Sequence, residues 1–253
     1  MLARFLFRAW KARWRDHRAE LAALSSAIAP GELAIDAGAH KGSFLYTLAR
    51  AARPGRAIAF EPQPELASYL ERACAAARLS NVTVERCALS DAEGERELLV
   101  PSDGFTQGAS LESAIGAERA CRAVAVRTTT LDRYLRGHRA RVAAIKLDVE
   151  GHEPALLRGA ERTLEEHRPL LVLECEERHL GPGGTARLFA WLRERGYDGD
   201  FVERRRLRPL REFDPSRHQP QGPGAFWNEA GYCNNFVLRH TARGAGVAKP
   251  GAV

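Results

Sequence analysis

Three short stretches carry residue types and spacings that can do chemistry. The first is Ile35-Asp36-Ala37-Gly38-Ala39-His40-Lys41-Gly42. An apolar run ends in an acid, turns on two glycines and leads into the amphipathic run 43–49. Strand, glycine turn and helix in that order bring a nucleotide-like ligand against backbone N–H groups at a helix start. The Asp36 carboxylate repels a pyrophosphate and favours a ligand that carries an amine or another positive charge. That chemistry points to S-adenosylmethionine, a sulfonium with an α-amino group, over NAD.

The second stretch is Phe60-Glu61-Pro62. An acid at the end of a second strand accepts hydrogen bonds from ribose hydroxyls; the plainer reading is a helix-cap carboxylate. The strand after it ends in Ala88-Leu89-Ser90-Asp91, where a backbone N–H near Ala88 can read an adenine edge and Asp91 suits a turn.

The third stretch, Lys146-Leu147-Asp148-Val149-Glu150-Gly151-His152-Glu153, is the densest polar cluster. Strand alternation puts Lys146, Asp148 and Glu150 on one face. Three ionisable residues on an interior strand are costly unless they pair or face a pocket. They form either a structural ion-pair network or a catalytic group beside a transferable methyl. Asp148, Glu150 and His152, with Glu174 from the next strand end, also offer O and N donors to a divalent metal. No metal is expected, because the spacing resembles no dedicated site, although Mg²⁺ needs only one or two carboxylates. Glu174-Cys175-Glu176-Glu177 falls where substrate should lie, as a substrate contact or as a solvated acidic turn. His152 and Glu174 are the candidate substrate-binding residues.

The elements that must position these residues alternate. Strands are expected at 33–37, 57–60, 82–87, 143–149 and 170–175, and helices at 42–52, 64–77, 153–167 and 185–195, the last stopped by Gly196. Short apolar strands alternating with amphipathic helices predict an α/β fold on a parallel sheet. Extra strands are expected at 95–100 and 123–128, with a polar loop or partly helical insertion at 101–122 between them. A short helix at 131–136 has Thr130 as its N-cap. Segments 197–202 and 233–238 fit a closing antiparallel pair, and the arginine-rich run 204–211 fits a solvated hairpin or an anion-binding rim. A Pro/Gly-rich segment spans 215–224. Residues 1–29 read as one amphipathic helix: Leu2, Phe5, Leu6, Trp10, Trp14, His17, Leu21, Leu24 and Ile28 recur at spacings of three and four. Three regions follow: this basic helix over 1–30, a ligand-binding domain over 31–240, and a disordered tail over 241–253.

The chain has 253 residues, 45% hydrophobic and 28% charged, with net charge +6, an ordinary soluble balance. Residues 1–18 hold six basic residues against Asp16 alone, so five of the six net positive charges lie there. The nearly neutral remainder argues against nucleic acid as a partner. Five scattered cysteines with no Cys-x-x-Cys suggest free thiols in a reducing, cytoplasmic setting. Arginines interrupt the first helix, so it reads neither as a signal peptide nor as a span. It packs on the main domain or makes peripheral membrane contact.

Several pieces together resemble the FkbM-type methyltransferases: Ile35 to Gly42, Phe60-Glu61-Pro62, Ala88 to Asp91, Thr129-Thr130-Leu131-Asp132, Ile145 to Glu153, and Leu157-Arg158-Gly159-Ala160. The likeness covers roughly residues 33–175, with a weaker echo at 188–197 and at Asn235-Phe236. Its most specific piece is Lys-x-Asp-x-Glu-Gly-x-Glu. The resemblance implies a class I methyltransferase fold: a Rossmann-like three-layer sandwich on a mostly parallel seven-stranded sheet with a final antiparallel strand. It implies S-adenosylmethionine as donor and O-methylation of a hydroxyl, often on a sugar or natural product. In that reading Asp36 and Gly38 frame the methionine part and Glu61 the ribose, with His40, Gly42 and Ala88 completing the cofactor set. Lys146, Asp148 and Glu150 are the catalytic candidates for direct in-line transfer to a small-molecule or glycan acceptor. The rivals are an NAD-linked oxidoreductase and a membrane- or partner-binding module led by the first helix. Oligomeric state is left open.

Overall fold

The strands form where short apolar runs can be buried on both faces. β1 (Leu33–Ala37) and β7 (Val142–Leu147) are buried at every position, and β8 (Leu170–Glu174) at all but the last, the pattern of parallel strands covered on both sides. The computed structural model describes residues 1–101, 109–112, 121–222, 226–229 and 231–244. With β2 (Arg56–Phe60), β3 (Val82–Glu85), β9 (Tyr197–Glu203), β10 (Arg206–Pro209) and β11 (Asn235–His240), they build one sheet in the order β10-β9-β11-β8-β7-β1-β2-β3. β3, β2, β1, β7 and β8 run parallel; β11 enters antiparallel between β8 and β9.

Alternation along the strands splits the core into two layers. Ile35, Ile58, Ile145 and Leu171 point to the side of Leu156, Leu164, Leu188 and Leu192. Ala34, Ala57, Ala144 and Val172 point to the side of Phe5, Leu24, Leu45 and Leu70. The second face is covered by α1 (Leu2–Lys11), α2 (Arg18–Ala27), α3 (Leu45–Ala52) and α4 (Pro64–Ala76). The first is covered by the helices Glu153–Arg158, Glu161–His167 and Gly184–Glu194. This is the expected three-layer α/β sandwich. The two extra strands pair with each other: β5 (Gly94–Pro101) lies antiparallel to β6 (Cys121–Thr129), and β4 (Ala88–Leu89) adds parallel to β6.

Three expectations change. Among the described residues the sheet has eight strands rather than seven, because 204–211 turns back on β9 at Arg204 and Arg205, both at positive φ, and adds β10 to the edge. Residues 1–29 are not one helix. Ala12–Asp16 widens into a π-helical turn closed by His17 N–H to the Ala12 carbonyl at 2.8 Å, and His17 leaves the helical region at φ −125°. The bend lets Phe5 and Ala12 before it, and Leu21 and Leu24 after it, reach the same core. The helix expected over 153–167 is broken at Gly159-Ala160. Gly159 lies so near Ser90 that a Cβ would be 1.9 Å from its carbonyl oxygen. The second segment is held at its start by Asp132, whose Oδ1 accepts the Thr163 N–H at 2.8 Å. Thr130 caps the helix Leu131–Tyr134, accepting from Arg133 N–H at 3.1 Å. Most of the 101–122 insertion and the tail beyond residue 244 lie outside the described residues, and the 215–224 segment is described up to 222, with a short helix at Pro215–His218.

Candidate functional site

The carboxyl ends of β1, β2, β7 and β8 open into a cavity of about 660 Å³, the place where open α/β sheets take ligands. On one side stands the turn after β1. Gly38 is at φ +70°, and a Cβ there would lie 1.9 Å from the Asp148 carbonyl oxygen. Only glycine allows the β1 turn and the loop after β7 to meet this closely. Asp36, at the end of β1, is 1% exposed, and neither of its carboxylate oxygens has a hydrogen bond. Among the described residues its cationic neighbour is Lys146 Nζ, 3.5 Å from Oδ1, a charge contact rather than a hydrogen bond. Burial outweighs that lysine and holds the Asp36 carboxyl above its ordinary range.

Glu61 is fixed by the backbone. Its Oε2 accepts the His40 N–H at 2.7 Å and its Oε1 the Gln63 N–H at 2.9 Å. His40 reaches that position through a left-handed backbone, φ +47°. Burial raises the Glu61 carboxyl to about 7 and lowers the His40 imidazole to about 4. Each Glu61 oxygen keeps a lone pair that can take a ribose hydroxyl. Ala88, Leu89, Leu98 and Leu111 add an apolar lining. Gly42 is placed differently from the other cofactor candidates: a Cβ there would meet Phe5 at 2.7 Å and Leu70 at 2.9 Å, so it fits α1 against the turn.

Lys146 points back at the glycine turn. Its Nζ donates to the Gly38 carbonyl at 2.7 Å, lies 3.3 Å from Asp148 Oδ2, and sits 5.6 Å from the centre of the Phe44 ring. Burial disfavours its charge, but Asp148 and then Asp36 outweigh burial and hold the ammonium above its ordinary range. It is a fixed cation, not a proton acceptor. Glu150 reaches the cavity, but from a loop rather than by strand alternation, because β7 ends at Leu147. Glu150 is at φ +51° and Gly151 at φ +94°, and that loop is held from behind by Glu153. Glu153 Oε1 accepts the N–H groups of Val149 and Gly151 at 3.1 and 3.2 Å. Burial pushes the Glu153 carboxyl up to about 8.

Asp148, Glu150 and Glu174 line the same cavity. Burial, then the charges of Asp148 and Glu150, hold the Glu174 carboxyl well above its ordinary range, and Asn234 Nδ2 donates to its Oε1 at 2.7 Å. Glu150 Oε2 is 3.7 Å from His179 Nδ1, an imidazole that burial lowers to about 4. Glu176 is buried, yet the Arg178 guanidinium at 2.7 and 2.8 Å and the Tyr232 hydroxyl at 2.6 Å hold its carboxyl below the usual range. Arg178 in turn lies 4.4 Å from the Trp227 ring centre. His152 is buried, with Nε2 2.9 Å from Ser90 Oγ and Nδ1 2.6 Å from Glu112 Oε1, tying the end of β4 to the 109–112 segment. Among the described residues, no group of three or more His, Cys, Asp or Glu side chains is arranged to hold a metal ion.

The residues that sequence reasoning missed are Gln63, Asn234, Phe44 and the Arg178–Trp227 pair. Gln63 follows the Phe60-Glu61-Pro62 signal directly, and Asn234 adjoins the Asn235-Phe236 echo. The others carry no local signal, since tertiary packing alone brings them to the cavity.

The donor set fits S-adenosylmethionine. Two orphaned oxygens of Asp36, the anchored Glu61 and the acids along the wall suit a cationic adenosyl ligand and repel a pyrophosphate. The fold and this cavity define a class I S-adenosylmethionine-dependent methyltransferase. The chain belongs to the FkbM methyltransferases: the family described as the Methyltransferase FkbM domain matches residues 36–198. No curated protein matches it. Among solved structures, the FkbM methyltransferase from Methylobacillus flagellatus is 20% identical over 65% of this chain and 37% of its own, with a TM-score of 0.46. The chain thus spans little more than a third of that protein. An rRNA methylase from Streptococcus thermophilus is 11% identical over 87% of this chain and 93% of its own, TM-score 0.48. A Streptococcus mutans protein solved in complex with SAH is 11% identical over 88% and 96%, TM-score 0.47.

Proposed function

We propose that this methyltransferase acts on oxygen, transferring the methyl group to a hydroxyl of a sugar, glycan or other natural-product acceptor. The observation that carries the reading is the wall of carboxylates, Asp148, Glu150 and Glu174, in the same cavity as Asp36 and Glu61. When bound, S-adenosylmethionine supplies a methyl group on a sulfonium, already a good electrophile. The chain's task is then to position the reactants and to receive a proton. Asp36 and Gly38 frame the methionine part, Glu61 holds the ribose, and Ala88 reads the adenine edge. Asp148 or Glu150 takes the acceptor's hydroxyl proton as its oxygen attacks the methyl carbon in line. The O–C bond forms, the S–C bond breaks with its electrons returning to sulfur, and the proton rests on the carboxylate. Lys146, 3.3 Å from Asp148 Oδ2, orients that carboxylate. Glu174 contacts the acceptor, and His152, with both ring nitrogens engaged by Ser90 and Glu112, shapes the wall beside it. A second assignment, Glu174 as the base, is supported by its place in the same cavity, where Asn234 Nδ2 holds its Oε1 at 2.7 Å.

A reducing, cytoplasmic setting belongs to the proposal, supported by five unpaired cysteines. The near-neutral body supports a small-molecule or glycan acceptor over nucleic acid. The test is incubation with methyl-labelled S-adenosylmethionine and a panel of sugars, polyols, amines, thiols and RNA. Label in an ether-linked methyl on the hydroxyl compounds is expected. Label confined to nitrogen, sulfur or RNA overturns the reading.

A further inference from the structure

α1 and the π-helical turn after it turn one side to the protein and leave the other bare. Phe5, Ala9 and Ala12 are buried in the core. Leu2, Leu6, Phe7, Trp10 and Trp14 are 36%, 38%, 60%, 56% and 61% exposed. Among the described residues, every exposed large apolar side chain except Leu207 lies in the first fourteen, so this is one patch and not a general surface property. Phe7 and Trp10 stack at 6.0 Å, which keeps the patch continuous.

Basic residues border it. Arg4, Arg15 and Arg18 are exposed, Lys11 is half-buried, and Asp16 is the single acid in residues 1–18. Asp16 engages Lys11 at 3.0 Å and Arg15 at 3.5 Å, while Arg8 is spent on the Tyr69 hydroxyl at 2.9 Å. Tryptophan, phenylalanine and leucine flanked by arginine and lysine are what a helix lying in a bilayer surface presents: apolar side chains at the acyl boundary, cations at the headgroups.

We propose that residues 1–16 seat this enzyme on an anionic lipid bilayer. A second copy of the chain suits the patch less well, because a self-complementary contact would bring two clusters of five net positive charges together, whereas an anionic surface neutralises them. The placement also concerns the cavity. The anchor ends at Asp16; His17, the next residue, lines the cavity and packs on Phe44 at 4.9 Å, and Phe5 fills the space beside Gly42. The methyl-transfer site is carried directly beside the membrane-bound helix.

The test is co-sedimentation of the full chain with vesicles of pure phosphatidylcholine or of phosphatidylcholine with phosphatidylglycerol, at low and high salt. Two variants accompany the wild type: Trp10→Ser with Trp14→Ser, and Arg4→Glu with Arg18→Glu. All four positions are exposed, and binding of S-adenosylhomocysteine verifies that each variant is folded. The wild type should bind phosphatidylglycerol vesicles roughly tenfold or more tightly than neutral ones, falling with salt, and each variant should lose roughly tenfold or more. Three results overturn the proposal: no binding to anionic vesicles at low salt, unchanged binding by both variants, or a concentration-dependent dimer that the tryptophan variant abolishes.

Discussion

Lys146 Nζ lies 3.5 Å from Oδ1 of Asp36 and 3.3 Å from Oδ2 of Asp148. One buried ammonium therefore joins the end of β1 to the loop that follows β7. Removing it leaves two carboxylates facing each other without a counter-charge. Lys146→Met should lower unfolding stability by about 3–5 kcal/mol, the usual cost of breaking a buried ion pair from one side. Urea unfolding measures it; an unchanged midpoint would mean the pair is not buried as described.

Gly38 combines positive φ with a Cβ position 1.9 Å from the Asp148 carbonyl, whereas Gly137 has φ +83° with nothing within 4 Å. Gly137→Ala should cost only the backbone strain, about 1 kcal/mol. Gly38→Ala must also push the two loops apart, so it should be the less stable variant in thermal melts and should lose S-adenosylhomocysteine binding. Equal behaviour of the two would remove the close approach from the account.

Asp148→Asn and Glu150→Gln, made separately, should cut kcat by about 10²–10⁴-fold, the usual contribution of a general base, with little change in donor-product affinity. The residue that serves as base gives the larger loss. Full activity in both variants transfers the role to Glu174.

Glu153 has a raised folded-state carboxyl, to about 8 from an ordinary 4.5, caused by burial. The folded state therefore binds more protons than the unfolded chain between those values. Its contribution to stability is full below the unfolded value and is lost as pH rises through about 8. Glu153→Gln keeps an oxygen for the Val149 and Gly151 N–H groups and cannot ionise. Its Tm should fall less than the wild type's between pH 5 and pH 8.5; parallel curves would contradict the assignment.

The sequence marks the β1 and β2 side of the cavity well. Glycine turns, strand-terminal acids and alternating apolar runs are local signals, so Asp36, Gly38 and Glu61 can be placed from spacing alone. The β7 side is less legible. Alternation predicts Glu150 on the face of Lys146, but the strand stops early and Glu153 folds back to hold a left-handed loop, a tertiary arrangement with no signature in residue order. The bend at His17 is hidden for a similar reason: the apolar spacing of residues 1–29 is helical throughout, and only the need to reach one core from both segments bends it. Gly42 has the type and position of a ligand contact, yet Phe5, distant in sequence, claims the space beside it. Arg178 meets Trp227 across 49 positions of sequence, beyond any local pattern.

The most direct test of the central claim is calorimetric titration of the wild type and of Glu61→Gln with S-adenosylhomocysteine and with NADH. Two backbone N–H groups present the Glu61 carboxylate to the cavity, and a lost charge-assisted hydrogen bond costs about 1.5–3 kcal/mol. The wild type should bind S-adenosylhomocysteine and not NADH, and Glu61→Gln should bind it roughly 10–100-fold more weakly. Binding of NADH alone, or equal affinity of the variant and the wild type for S-adenosylhomocysteine, would contradict it.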